Sequence, residues 1–291
     1  MNRLARIAAI ALLSLPLSDL AASQPLNLVA AENFYGDVAR QLGGPFVHVT
    51  SIMNNPEQDP HLFEASVSTA KALSGARIVV YNGIDYDPWM NKLLSATPSA
   101  HRKTIVAGQL MHKKSGDNPH LWYNPATMPV VARAITAELE AADPVHGSEY
   151  RQNLKQFLSS LAPLDGQITA LRARYAGTPV TATEPIFGYM ADALGFTMRN
   201  AGFQLAVMNN TEPSASQIAA FESDLKTRKV KVLFYNIQAS DPSAKRVRQI
   251  ALSSKIPVVG ITETEPAGKR YQEWMTDQLD ILTHALAGGS K

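Results

Sequence analysis

Cysteine is absent from all 291 residues. That absence excludes disulfides, thiolate metal sites and a lipid-anchoring cysteine behind an export signal. An excess of charge of either sign is missing too: 27 Lys and Arg stand against 25 Asp and Glu. The basic residues are scattered rather than clustered, so nothing points to nucleic acid as a partner. Beyond the N-terminus no apolar run approaches the length that a membrane-spanning helix needs. His-Glu-x-x-His, Gly-x-Ser-x-Gly and the Gly-rich phosphate loop are likewise not found. What remains, at 45% hydrophobic and 18% charged residues, is an ordinary globular chain long enough for two modest domains.

The N-terminus is distinctive. Met1-Asn2-Arg3-Leu4-Ala5-Arg6 precedes the apolar run Ile7 to Leu17, and small residues come next at Ala21, Ala22 and Ser23. This is the pattern of a secretory signal peptide over 1–23, cut after Ser23. Export without a lipid anchor places the expected mature chain in the periplasm of a Gram-negative cell.

From Gln24 onward, short β-branched runs alternate with amphipathic stretches, the grammar of βα units wound into parallel sheets. Strands are expected at 26–31, 47–52, 77–82 and 104–107, then at 180–183, 230–235 and 257–262. Helices are expected at 34–42, 66–73 and 127–142, and later at 187–194, 214–226, 244–253 and 271–287. Between the halves, Leu154, Phe157, Leu158, Leu161, Leu164, Ile168, Leu171 and Tyr175 recur mostly three or four apart, as in one long helix that Pro163 must kink or split. The fold class is therefore α/β, with two Rossmann-like parallel-sheet lobes at 24–145 and 178–291 and a linking helix at 146–177. Such a link is stiffer than paired strand hinges, so ligand capture should involve small lobe movements.

Four polar residues stand just after an expected strand or in the loop beyond one, the edge where open α/β sheets bind ligands. They are His61, His120, Glu184 and Glu263. Two imidazoles and two carboxylates suit Zn²⁺, Mn²⁺ or Fe²⁺ and do not suit Cu⁺. No local motif joins them, and any one taken alone reads as a surface residue. Glu265 competes with Glu263, because both would share a face if the strand continued. His48, His101, His112, His146 and His284 read as surface or packed histidines. Asp59, Glu64 and Asn118 are candidate acceptors for imidazole N–H groups.

Taken in order, the surrounding signatures carry more. Asp59-Pro60-His61 with Phe63-Glu64, then Asn118-Pro119-His120-Leu121-Trp122, then Thr183-Glu184 before Phe187-Gly188-Tyr189, then Thr262-Glu263-Thr264 before Tyr271, resemble those of the zinc- and manganese-uptake receptors of ABC importers. The similarity covers essentially the whole mature chain, including Tyr81-Asn82-Gly83. It implies a monomeric solute-binding protein that holds a divalent metal between its lobes, with His61 and His120 from the first and Glu184 and Glu263 from the second. It also implies an ABC membrane permease as partner and no enzymatic activity.

Two departures bear on metal choice. Glu184 stands where zinc-dedicated members often have His, and the stretch 110–117 offers only His112 where they carry a His- and acid-rich loop. Both tilt the expectation toward manganese. Glu263 stands where many relatives have Asp. The rival reading is a secreted metal-dependent hydrolase, which two histidines, a carboxylate and an open coordination position would allow. A receptor or adhesin for an organic solute would need an aromatic or arginine-lined cleft.

Overall fold

The computed structural model describes residues 24–55, 63–209, 211–238 and 242–288. The signal-peptide segment and His61 lie outside the described residues.

Strand β1 (Leu26–Glu32) is buried from Leu28 to its end regardless of which face a residue points to. A strand inside a parallel sheet with helices on both sides must be apolar on both faces. It feeds α1 (Asn33–Gly43), followed by β2 (Val47–Met53), α2 (Val67–Ser74), β3 (Ile78–Tyr81), α3 (Pro88–Ala96), β4 (Lys103–Val106) and the short α4 (Ala107–Leu110). Then come α5 (Thr127–Ala142), α6 (Gly147–Ser160) and α7 (Ala162–Tyr175). The second half runs β5 (Pro179–Ala182), α8 (Gly188–Ala193), β6 (Thr197–Arg199), α9 (Ala201–Met208), α10 (Ala215–Lys226), β7 (Leu233–Asn236), α11 (Pro242–Ser253), β8 (Val258–Ile261) and α12 (Tyr271–Leu286).

Both sheets are parallel and wound alike, β2-β1-β3-β4 and β6-β5-β7-β8. In each, the chain leaves the first strand to one side and returns on the other, which opens a crevice beyond the strand ends between β1 and β3, and between β5 and β7. The registers Ala30↔Val80 and Ala182↔Phe234, continued by two residues, set Glu32 beside Asn82 and Glu184 beside Asn236.

The expected single linking helix is two helices that meet at Leu161. Pro163 falls in the first turn of α7, where a backbone N–H has no intrahelical acceptor and its loss is harmless. α6 packs on α1 and α5 of the first lobe, and α7 on α12 of the second. One continuous apolar cluster spans both sheets. Its middle is an aromatic chain from Phe34 to Trp122 (4.6 Å), Tyr123 (6.3 Å), Phe187 (5.3 Å) and Phe234 (4.4 Å). The two lobes thus share a core. Among the described residues no helix is long and apolar enough to cross a membrane.

Candidate metal centre

His120 opens a 3-10 turn, Leu121–Tyr123, whose three side chains are fully buried. The imidazole is itself fully buried, and its Nδ1 lies 2.7 Å from Asn118 Oδ1. Asn118 Nδ2 donates to the carbonyl of Pro185 at 2.7 Å, which can only accept. That bond fixes the amide, so Oδ1 accepts a proton from Nδ1. The lone pair of the neutral ring then sits on Nε2, the arrangement a metal requires. Asn82 Nδ2 and Tyr189 Oη hold the same loop by donating to the carbonyls of Pro119 (2.9 Å) and Asn118 (2.8 Å).

Nε2 of His120 points toward Glu263, with Oε2 at 3.7 Å. Glu263 stands two residues beyond β8 and is fully buried. The preceding Thr262 is strapped down by Tyr123 Oη on its carbonyl (2.8 Å) and Trp274 Nε1 on its hydroxyl (2.9 Å). Glu184, two residues beyond β5, is 4% exposed. Asn236, the last residue of β7, joins the two carboxylates: its Nδ2 lies 3.1 Å from Glu184 Oε1 and 2.7 Å from Glu263 Oε1. Of the four expected donors, His120 thus stands beside Glu263, and Asn236 links Glu263 to Glu184, where the strand ends of the second sheet face the 118–123 loop. Among the described residues no three His, Asp or Glu side chains are drawn in closely enough to hold an ion. His61, and Asp59 beside it, fall outside those residues.

Glu265 turns elsewhere. β8 ends at Ile261, so strand alternation does not carry on to residue 265. The Glu265 backbone is clamped to Asn33 of α1, and its buried carboxyl, held up to about 9 first by burial and then by neighbouring Asp37, belongs to the α1 side. A cleft of about 600 Å³ opens there, lined in part by Asp37, Arg40, Ser51 and Glu265. The remaining histidines are occupied or exposed. His146 stacks on Phe46 at 3.8 Å and meets Asp143 at 2.6 Å, His284 bonds the carbonyl of Asp280, and His48, His101 and His112 are exposed. Glu64 is exposed as well, and among the described residues Asn118 is the acceptor that faces the His120 ring.

Two features were not legible in the residues. Asn236 sits at a strand end, as the ligand candidates do, but a neutral amide gives no signal of its own. Glu32 is fully buried at the end of β1, and burial followed by the adjacent Asp87 carboxylate holds its pKa well above the ordinary value. A lone Glu at the close of an apolar strand carries no such message in sequence.

The model of the family described as the periplasmic component A of zinc-uptake complexes matches residues 28–285. The manganese ABC transporter substrate-binding lipoprotein PsaA of Streptococcus mitis is 25% identical over 290 residues, 92% of each chain. The manganese-binding lipoprotein MntA of Bacillus subtilis is 27% identical over 286 residues, 91% of each. The periplasmic zinc binding protein TroA of Treponema pallidum has the same fold, with a TM-score of 0.76 at 20% identity over 90% of this chain and 99% of its own.

Proposed function

The chain belongs to the family of periplasmic zinc-uptake components, and on that premise we propose that His61, His120, Glu184 and Glu263 together hold one Zn²⁺ or Mn²⁺ ion between the lobes. The protein is a substrate-binding receptor of a metal ABC importer and not an enzyme. The metal is its cargo. A secreted metal-dependent hydrolase, the rival that the donor set allowed, is not supported, because the matched family consists of uptake receptors.

One observation carries the ligand assignment. His120 presents Nε2 toward Glu263 while Asn236 binds Glu263 and Glu184 together, all in a buried place at the crevice of the second sheet. Two carboxylates and neutral imidazoles match a divalent cation in charge and hardness, and Fe²⁺ fits the same set. His61 completes it by sequence. On this reading the lobes are 24–145 and 178–291 with the link at 146–177, and each lobe supplies two ligands.

An exported receptor is consistent with relatives that are named lipoproteins. The finer reading is a periplasmic monomer, released by cleavage near Ser23, that passes its ion to a membrane permease. The test is competitive titration of metal-free protein with Zn²⁺, Mn²⁺ and Fe²⁺, together with ester and peptide probes. One ion per chain and no turnover is expected; turnover, or no stoichiometric binding, would contradict the proposal.

A further inference from the structure

The amide of Asn236 is locked in one orientation. Its Oδ1 accepts from the backbone N–H of Gln238 at 3.0 Å, and because that group can only donate, Nδ2 must face the carboxylates. Its own backbone N–H is held by Thr183 Oγ1 at 3.2 Å, and the side chain is 4% exposed. Both N–H bonds of Nδ2 are then spent, one on Oε1 of Glu184 and the other on Oε1 of Glu263. Gln238, two residues on, reinforces the arrangement. Its Oε1 accepts from the backbone N–H of Glu263 at 2.6 Å, so the two glutamates are tied to one short segment, Asn236 to Gln238, at the end of β7.

Each carboxylate thus has one oxygen engaged by an amide that cannot rotate away. A cation approaching that oxygen would also meet the positive end of the N–H dipole. Zinc is satisfied by four donors in a tetrahedron, whereas manganese favours a larger, oxygen-rich shell that two bidentate carboxylates would supply. We propose that Asn236 is a specificity-determining residue, which restricts Glu184 and Glu263 to one oxygen each toward the cargo and thereby biases the site to zinc over manganese. It opposes the tilt toward manganese that Glu184 itself provides. The inference rests on the four-residue site proposed above. Asn236 acts through the two glutamates and is a positioning residue, not a ligand.

The test replaces Asn236 by Leu, which keeps the shape and removes both donors, with Asn236→Ala as a second variant should Leu disturb folding. Metal-free proteins whose melting is cooperative are titrated with Zn²⁺ and Mn²⁺ in competition. Manganese-loaded and zinc-loaded samples are measured by X-ray absorption to count oxygen neighbours. The expected result is a Zn/Mn affinity ratio lowered by roughly tenfold, the scale of one lost hydrogen-bonded constraint, with more oxygen neighbours around manganese in the variant. Equal losses for both metals, with ratio and oxygen count unchanged, would overturn the proposal and leave Asn236 a structural support. Glu184→Gln and Glu263→Gln serve as controls. Their failure to bind zinc upholds the site while the Asn236 result decides the proposal; wild-type affinity in both would overturn the site, and the proposal with it.

Discussion

Asn33 and Glu265 hold each other through both ends of one amide: Asn33 Nδ2 donates to the Glu265 carbonyl at 2.7 Å, and the Glu265 N–H donates to Asn33 Oδ1 at 3.1 Å. Asn33 is the first residue of α1, so a helix of the first lobe grips the segment that carries Glu263 from the second. Gln41 and Gln272 extend the grip, and the N–H of Tyr271 donates to Asp37 Oδ2 at 3.0 Å.

Asn33→Ala removes both bonds and leaves a buried N–H and carbonyl to find other partners. It should destabilise the metal-free protein by about 2 kcal/mol, since each lost bond contributes about 1. Chemical denaturation measures this; an unchanged midpoint would mean that the clamp contributes nothing.

Asn118 orients the His120 ring, and loss of such an orienting partner typically weakens metal binding by roughly 10- to 100-fold. Asn118→Ala should do so, and because it also removes the bonds to Pro185 and His120 it should lower the unfolding midpoint about as much as Asn33→Ala does. Gly188→Ala should reproduce part of the loss, because its Cβ would stand 2.9 Å from Asn118 Nδ2. Calorimetric titration of both variants checks this, and wild-type affinity in both would remove Asn118 from the site.

Much of this arrangement was legible in the residues because hydrophobic periodicity records burial. The stretch 127–142 read as a helix is α5 residue for residue. The central apolar spacing marked α6 and α7, and Pro163 marked their junction within two residues. β6 escaped because Thr197, Met198 and Arg199 form a three-residue edge strand without a fully buried residue. α3, α4 and α9 also went unmarked. The choice between Glu263 and Glu265 was open because strand parity gives them one face. The early end of β8 and the Asn33 clamp separate them, and the clamp joins residues more than two hundred apart in the chain.

Glu32 makes stability depend on pH. Its carboxyl, ordinary value 4.5, is held well above that in the folded chain by burial and by Asp87. Between the two values the folded state keeps a proton that the unfolded state has lost, so stability falls as pH rises through that window. Glu32→Gln keeps the shape and puts an N–H where the protonated carboxyl carries its O–H, while removing the titration. The variant should gain on the wild type in melting temperature as pH rises from about 5 to about 8, by a few degrees on the usual scale of about 2–4 °C per kcal/mol. A gap that stayed constant with pH would refute this origin.

Glu184→His exchanges an anionic oxygen for a neutral nitrogen and should raise the Zn/Mn affinity ratio, by about tenfold if one interaction changes hands. Competition titration reads it. A ratio that held or moved toward manganese would place Glu184 outside the coordination sphere.

The ligand set itself is tested most directly by anomalous X-ray scattering from crystals of the mature protein loaded with Zn²⁺ or Mn²⁺, recorded at each metal's absorption edge. One peak per chain is expected, within about 2.0–2.2 Å of a ring nitrogen of His61, Nε2 of His120 and carboxylate oxygens of Glu184 and Glu263 for zinc. A peak beside Glu265 and Asp37, or one that touches only a single lobe, would contradict the four-residue site.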